Sequence, residues 1–326
     1  MTHRALPQPA RYRGRFAPSP TGPLHFGSLV AALGSFLDAK ANGGDWLVRI
    51  EDLDPPREIP GAADQILATL DAFGFEWTGP VVHQSTRREA YEAALVALHA
   101  IGATYRCGCT RRDIAAAVSR RLGGVSNEYG SDKPHQPVDH EVRELVYPGT
   151  CRALLEPPRG AVAERIRVGA ATVAFVDALQ GRVEQSLTNE VGDFILRRAD
   201  GLFAYQLAVV VDDAAQGITD IVRGADLLDS TPRQIFLGQM LGYPGIRYLH
   251  LPVVVNAAGE KLSKQTRAAT VDAGAPSAAL AAALRFLGQD LPADAGAWAP
   301  HEILTWGTDH WQLAKLPRTR AATASA

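Results

Sequence analysis

Short apolar strands alternate with amphipathic helices in the first part of the chain, and this alternation constrains the fold more than any other feature. Strands are predicted at 14–17 and 46–50, and helices at about 25–41, 62–73 and 88–101. A helix between successive strands supplies the crossover connection that parallel strands require. The sequence therefore predicts an α/β fold built on a doubly wound parallel sheet.

A stretch without periodicity interrupts the alternation between residues 104 and 158. It carries many charged residues and all three cysteines of the chain, so we interpret it as an insertion. Thr231 is predicted to cap a helix, and the small polar tail at 319–326 is predicted to fray. The remaining pattern predicts antiparallel strands at 165–176 and 181–187, buried strands at 203–211, 218–222 and 251–255, and helices at 232–241, 277–287 and 301–306.

Composition excludes several classes of protein. The 33 Lys and Arg nearly balance the 35 Asp and Glu, with a formal net charge of -2, whereas a protein that coats nucleic acid through phosphate contacts would be basic. Three cysteines cannot form a closed disulfide framework, which favours a reducing compartment. The longest strongly apolar run, at 207–211, is too short to cross a bilayer. We expect a cytoplasmic protein without a membrane partner.

A proline-rich turn followed by a helix forms the first motif. It runs from Arg15 through Pro18-Ser19-Pro20-Thr21-Gly22 to His25-Phe26-Gly27-Ser28. The N-terminus of a helix presents unpaired N–H groups to a phosphate. His25 adds a donor in the first turn, and Gly27 leaves room for a flat ligand. On turn chemistry alone, a surface helix with His25 as a solvent-facing cap is an equally good interpretation.

A lysine loop after the strand predicted at 251–255 forms the second motif. Gly259 enters the loop, and Lys261-Leu262-Ser263-Lys264-Gln265 follow. Two lysines around a serine suit a mobile clamp on a polyphosphate, where charge develops during transfer. Alone, a short loop of this kind is more often only solvated.

Together the two motifs resemble the HIGH and KMSKS signatures of the class I aminoacyl-tRNA synthetases. The wording Arg15-Phe16-Ala17-Pro18-Ser19-Pro20-Thr21-Gly22 narrows the resemblance to the glutamyl branch of that family. It implies a Rossmann-like core in which an amino-acid carboxylate attacks the α-phosphate of ATP. ATP is bound with Mg²⁺, and the protein positions the two substrates and neutralises the phosphate charge. The resemblance assigns His25 and Lys264 as catalytic residues. It assigns ATP binding to His25, Gly27, Ser28, Lys261, Ser263 and Lys264.

The resemblance also implies a glutamate pocket at the first strands. The sequence Arg49-Ile50-Glu51-Asp52-Leu53-Asp54 resembles a family motif whose glutamate holds the substrate ammonium, which assigns that role to Glu51. Arg15 is implied to grip a substrate carboxylate, because a guanidinium matches a carboxylate with two hydrogen bonds. The residues placed beside it in the pocket are Phe16, Ala17, Pro18 and Ser19.

Two later segments, 201–213 and 221–228, resemble further family segments. They imply that Tyr205 lines the glutamate pocket and that Arg223 pairs with a substrate carboxylate. The alternative for Tyr205 is a core tyrosine with a satisfied hydroxyl. The alternative for Arg223 is a structural ion pair with Asp226.

The cysteines lie in Cys107-Gly108-Cys109 and in Tyr147-Pro148-Gly149-Thr150-Cys151. Three thiolates and a fourth ligand complete the tetrahedral shell of a structural zinc. The resemblance implies one such Zn²⁺ with Tyr147 as fourth ligand, since related sequences carry Tyr-x-Gly-x-Cys at the matching place. Alternative fourth ligands are His135, His140 and Tyr129, and the alternative to a metal is three free thiols.

The resemblance divides the chain into segments of different function. They are the two halves of the catalytic domain at 12–103 and 201–255, an inserted zinc-bearing domain at 104–200, the lysine loop with C-terminal helices at 256–316, and flexible termini at 1–11 and 317–326. So short a segment after the lysine loop predicts that an anticodon-binding domain is absent.

This arrangement is similar to a stand-alone branch of the family that transfers activated glutamate to the queuosine base in the anticodon loop of tRNA(Asp). We therefore expect a monomer that acts on L-glutamate, ATP and queuosine-carrying tRNA(Asp). One alternative is a truncated synthetase that charges a tRNA 3′ end. A second is a non-catalytic tRNA-binding paralog. The presence of both ATP motifs disfavours it, because a protein that only binds tRNA has no use for them. A third, a zinc-dependent nucleic-acid-binding module, is disfavoured by the net charge.

Overall fold

The computed structural model describes residues 11–121, 146–154, 160–256, 258–262 and 270–323. The chain opens with a parallel sheet in which β1 (Arg13–Phe16), β2 (Asp45–Ile50) and β3 (Val82–His83) lie side by side. Helix α1 (Phe26–Ala41) connects β1 to β2, and α2 (Ala62–Ala72) precedes β3. The predicted parallel crossover is confirmed.

A second parallel pair continues this sheet on the other side of β1. It consists of β9 (Asp220–Gly224) and β10 (Arg247–Leu251). The N–H of Thr219, just before β9, donates to the carbonyl of Arg13 at 3.0 Å and so ties the two pairs together. The remaining core helices are α6 (Tyr205–Ala215), α7 (Thr231–Met240), α8 (Pro276–Phe286) and α9 (Pro300–Asp309).

Antiparallel structure separates the two halves of the parallel sheet. After α3 (Arg88–Ala100), strands β4 (Thr104–Cys107), β5 (Ala163–Ile166) and β8 (Ile195–Arg197) form one antiparallel sheet. Strands β6 (Thr172–Asp177) and β7 (Gly181–Ser186) form a hairpin. Two helices complete this region, α4 (Arg111–Arg121) and α5 (Leu187–Glu190).

Three local predictions are wrong, each for a physical reason. The run at 203–211 is not a strand, since α6 occupies most of it, and burial of every residue from Leu207 to Asp213 removes the periodicity that marks a helix. Thr231 is the first residue of α7 rather than its cap, which is Ser230. The single strand predicted at 165–176 is two strands, β5 and β6.

The tail also differs from its prediction. Residues Ala321–Thr323 form β12, which pairs in parallel with β11 (Val253–Val255), so this part does not fray. Among the helices of the described ranges, none is long and apolar enough to span a membrane.

Candidate active site

A cavity of about 1110 Å³ opens where the parallel strands β1, β2, β9 and β10 end. In open parallel sheets, ligands bind outside the carboxyl ends of the strands, because each strand there is followed by a loop that carries side chains. The cavity brings together most of the residues singled out in the sequence: Arg15, Phe16, Ala17, Pro18, Ser19, His25, Gly27, Ser28, Glu51, Tyr205, Arg223 and Lys261.

Two arginines in the floor of the site share one carboxylate. Arg15, in β1, donates from Nε and Nη2 to the two oxygens of Asp213 at 3.0 and 3.2 Å. Arg49, in β2, donates from Nη2 to Asp213 Oδ1 at 2.8 Å and is fully buried. Burial alone would raise the pKa of Asp213, but the two guanidinium groups outweigh it and hold that pKa below its usual range. Asp213 therefore stays ionised.

Glu51 follows β2 directly, and its ionisation is less well supported by neighbouring cations than that of Asp213. Its Oε1 is buried and has no hydrogen-bond partner among the described residues, and the nearest cation, Arg49 Nη2, lies 3.6 Å away. Burial raises the pKa of Glu51 to about 7, with Arg49 and Arg15 opposing the rise. A buried carboxylate oxygen that lacks a hydrogen-bond partner is suited to a cationic ligand, which would favour the ionised form of Glu51.

Arg223, in β9, is fixed by uncharged partners. Nε donates to His250 Nε2 at 3.1 Å, and Nη2 donates to Thr231 Oγ1 and Gln234 Oε1, both at 2.8 Å. Its Nη1 is buried, and within the described parts of the chain no acceptor reaches it. The predicted alternative, an ion pair with Asp226, is not formed. A buried donor without an acceptor is suited to an anionic ligand.

Tyr205 begins α6 and lines the same cavity. Burial raises its pKa, and the negative charge of Glu51 adds to the rise, so the phenol stays protonated. The hydroxyl makes no hydrogen bond to any residue described in the structure, which disfavours the interpretation as a satisfied core tyrosine.

His25 is the N-cap of α1, and its ring folds back over the first turn. Nδ1 accepts the N–H of Ser28 at 3.2 Å, and Nε2 lies 3.0 Å from Ser28 Oγ. Acceptance at Nδ1 places the proton on Nε2. A Cβ at Gly27 would approach the His25 ring to 3.2 Å and the carbonyl oxygen of Leu262 to 3.7 Å, so the glycine permits close packing here.

The two ends of the lysine loop lie at the N-terminus of α1. Besides the approach of Leu262 to Gly27, Thr270 forms an antiparallel bridge with His25 and the N–H of Val271 donates to the carbonyl of Leu24 at 3.0 Å. Lys261 Nζ binds Asp226 Oδ2 at 2.6 Å. Ser263 and Lys264 lie outside the described residues and stay predictions.

A separate cluster contains the three cysteines and Tyr147. The three sulfurs lie within 4.8 Å of one another. Tyr147 Oη lies 3.3 Å from Cys107 Sγ and 3.7 Å from Cys109 Sγ, and Cys109 Sγ lies 3.5 Å from Cys151 Sγ. Burial opposes ionisation of Cys107, but its hydrogen bonds with Tyr147 and the Cys109 backbone lower its pKa. The alternative fourth ligands His135, His140 and Tyr129 lie outside the described residues.

Three partners of the candidate site residues were missed in the sequence: Asp213, His250 and Asp177. Asp213 had a signal, because an ionisable residue at the end of an apolar run is buried only when it is paired. His250 and Asp177 had none, since they are 73 positions apart and meet only in the folded chain.

The chain is similar to known proteins of one family. Residues 11–294 match the family described as tRNA synthetases class I (E and Q), catalytic domain. The chain is 57% identical over 307 residues to a glutamyl-Q tRNA(Asp) synthetase of Dechloromonas aromatica, across 94% of this chain and 96% of the relative. It is 52% identical over 308 residues to one of Chromobacterium violaceum, across 94% and 96%. A glutamate-tRNA synthetase structure from Elizabethkingia anophelis shares the fold, with a TM-score of 0.76 at 24% identity over 97% of this chain and 68% of that chain.

Proposed function

Because the chain belongs to the class I tRNA synthetase family for E and Q, and within it to the glutamyl-Q tRNA(Asp) synthetases, we propose that it activates L-glutamate with ATP and transfers it to queuosine in tRNA(Asp). One observation carries the proposal. Glu51 Oε1 and Arg223 Nη1 are buried and lack hydrogen-bond partners among the described residues, and both residues line one cavity with the His25 motif. Glutamate supplies an ammonium and two carboxylates, which are the complementary groups.

In the amino-acid half of the cavity, different residues bind different groups of glutamate. Glu51 binds the ammonium of glutamate, and Arg223 and Arg15 bind its carboxylates, with the Tyr205 hydroxyl as a further donor or acceptor. Ser19 and the segment Phe16-Ala17-Pro18 line the same cavity. Glutamate would supply hydrogen-bond partners to Glu51 Oε1 and Arg223 Nη1. This provides selectivity, because a ligand that lacks one of the groups leaves a buried polar atom without a partner.

The nucleotide half binds and neutralises phosphates. His25, Gly27 and Ser28 offer a helix N-terminus and an Nε2–H donor. Lys261 and Lys264 add positive charge from the lysine loop, and Ser263 adds a hydroxyl. An oxygen of the bound glutamate attacks the α-phosphorus in line, pyrophosphate leaves, and a glutamyl-adenylate remains. Mg²⁺ accompanies ATP. Catalysis then rests on positioning and charge neutralisation, and no protein nucleophile is needed.

Two assays test the function. ATP–pyrophosphate exchange is expected with glutamate alone, without tRNA, and no exchange would count against activation. Transfer of labelled glutamate is expected to queuosine-carrying tRNA(Asp) and not to the same tRNA without queuosine. Label on the terminal ribose would indicate a truncated charging enzyme, and binding of tRNA with neither reaction would indicate a non-catalytic paralog.

Glutamate binding is expected to weaken as the pH falls below 7. The carboxyl of Glu51 titrates at about 7 in the free protein, and an ammonium ligand binds only its ionised form. The Kd for glutamate should therefore rise about tenfold from pH 8 to pH 6, with about half a proton released on binding at pH 7. Titration calorimetry in two buffers of different ionisation enthalpy measures both. A flat Kd over this range would exclude Glu51 as the ammonium ligand.

We propose further that the cysteine cluster holds one structural Zn²⁺ through Cys107, Cys109, Cys151 and Tyr147. A tetrahedral zinc with Zn–S distances of about 2.3 Å separates its sulfurs by about 3.8 Å. The observed 3.5 Å between two of the sulfurs supports the fit, as do the approaches of Tyr147 Oη to Cys107 Sγ and Cys109 Sγ at 3.3 and 3.7 Å. Four protein ligands leave no position open for substrate, so the metal would stabilise this part of the fold.

Cys109→Ser is expected to lower bound zinc from about one atom per chain to near zero, because a hydroxyl is a poor substitute for a thiolate. Elemental analysis of the purified protein measures the stoichiometry. Tyr147→Phe tests the fourth ligand and should lose zinc faster to a chelator, while the control Tyr243→Phe should not. Full zinc in Cys109→Ser would remove Cys109 from the ligand set.

A further inference from the structure

A buried line of three polar side chains joins the inserted hairpin to Arg223. Asp177 ends β6, His250 lies in β10 and Arg223 lies in β9, and all three are at most 5% exposed. Asp177 Oδ2 lies 2.6 Å from His250 Nδ1, and Arg223 Nε lies 3.1 Å from His250 Nε2. His250 therefore connects Asp177, in the inserted hairpin, to Arg223 of the candidate glutamate pocket.

The two hydrogen bonds select one tautomer of His250. Asp177 Oδ1 accepts the backbone N–H groups of Leu179 and Gln180 at 3.0 and 2.8 Å, which holds the carboxylate as an acceptor. Nδ1 of the histidine must then carry the proton, and Nε2 presents a lone pair to the Nε–H of Arg223. Burial lowers the pKa of His250, and the charge of Arg223 lowers it further, so the neutral ring is favoured.

The surroundings of Arg223 keep its charge available to a ligand. Its other partners, Thr231 and Gln234, are neutral, and the neighbouring Asp226 is engaged by Lys261. No ion pair found among the described residues joins Arg223 to a carboxylate. A substrate carboxylate would therefore not have to displace an acid of the protein. Orientation is supplied by the histidine in place of an acid.

The hairpin is seated firmly enough to hold Asp177 in place. The N–H of Ala178 donates to the carbonyl of Tyr248 at 2.9 Å, and Gln180 Nε2 donates to the carbonyl of His250 at 2.9 Å. The rings of Phe175 and Tyr248 pack edge to face with centroids 5.7 Å apart. These contacts pin the turn after β6 on β10.

We propose that Asp177 and His250 are positioning residues, through which the inserted hairpin orients the guanidinium of Arg223 toward a substrate carboxylate. The inference rests on the proposed function, since it assumes that Arg223 binds glutamate. Neither residue touches substrate, and both act through Arg223. Recognition of glutamate then depends on the insertion as well as on the parallel sheet.

Asp177→Asn tests this relay, by which we mean the hydrogen-bonded line from Asp177 through His250 to Arg223. The amide oxygen can keep the backbone bonds, but its NH₂ then faces Nδ1 and drives the histidine proton to Nε2, where it opposes the Nε–H of Arg223. In exchange assays the KM for glutamate is expected to rise by about tenfold or more, while the KM for ATP changes less than about twofold. Nitrogen-15 spectra of the histidine rings should show the Nδ1–H form of His250 in the parent and the Nε2–H form in the variant. The His250→Gln spectrum assigns the signal.

Asp200→Asn is the matched control, because Asp200 also accepts a backbone N–H, from Leu202 at 3.2 Å, but lies exposed and away from a histidine. It should leave both KM values and the ring signals unchanged. An active parent with an unchanged glutamate KM in a folded Asp177→Asn overturns the relay. A parent without exchange overturns the proposed function instead, and an Nδ1–H signal that persists in Asp177→Asn still overturns the relay.

Discussion

Asp213→Asn is expected to lower the free energy of unfolding by about 3–5 kcal/mol, which is the usual cost of removing one partner of a buried ion pair. Asp213 is 2% exposed and its two oxygens receive three hydrogen bonds from Arg15 and Arg49. The amide retains one acceptor and adds a donor that opposes the guanidinium N–H groups. Two buried cations would then remain with Glu51 as the nearest acid, whose Oε1 lies 3.6 Å from Arg49 Nη2.

The same substitution should change how stability depends on acid. The folded-state pKa of Asp213 is held low by Arg15 and Arg49 against the opposing effect of burial. Its stabilisation is therefore fully present above the unfolded pKa of about 4 and is lost as the pH falls through the folded value. Asp213→Asn removes that part of the acid dependence.

Denaturant unfolding at pH 7 and at about pH 3, below the unfolded pKa of Asp213, measures both effects. Asp290→Asn is the matched control, because Asp290 is 79% exposed and pairs with Lys315 at 2.6 Å on the surface. An exposed pair contributes about 1 kcal/mol at most, so this control should remain close to the parent. Equal stabilities of the two variants would show that the buried carboxylate is not needed to balance the arginines.

The residues of the cavity were named in the sequence through the family resemblance, and they lie together because the motifs follow strands. Arg15 lies in β1 and Glu51 follows β2, and once the strands are assigned as parallel, their carboxyl ends must meet at one edge. The same reasoning places Arg223 near them, since it lies close to the end of β9. Local pattern and topology explain why residues that the family resemblance named meet in one cavity.

The residues that hold Arg15, Arg49 and Arg223 in place could not be predicted from the sequence pattern. Asp213 lies 198 positions from Arg15 and sits in a helix that was predicted as a strand, because a segment buried on all sides carries no helical period. His250 and Asp177 belong to strands whose pairing decides whether the two side chains meet. Only long-range packing sets the charge balance at Arg49 and the tautomer of His250.

Glu51→Gln is expected to lower kcat/KM for glutamate in the exchange reaction by about 10²- to 10³-fold, since losing a buried charge partner of a ligand ammonium costs about 3–4 kcal/mol. The amide has the same shape and keeps an acceptor oxygen, so the loss reports the charge. The KM for ATP should change little, because the ammonium is remote from the phosphates in the proposed binding mode.

Stability should move in the opposite direction from activity. Burial raises the folded pKa of Glu51 to about 7, above the unfolded value of about 4.3, so the ionised side chain disfavours folding progressively as the pH rises from 4 to 7. At pH 8, Glu51→Gln should be at least as stable as the parent, in contrast to Asp213→Asn. The control Glu76→Gln changes an exposed carboxylate that does not line the cavity and should alter neither property. An unchanged kcat/KM for glutamate in stable Glu51→Gln would remove this residue from amino-acid recognition, and a loss confined to the KM for ATP would reassign it to the nucleotide.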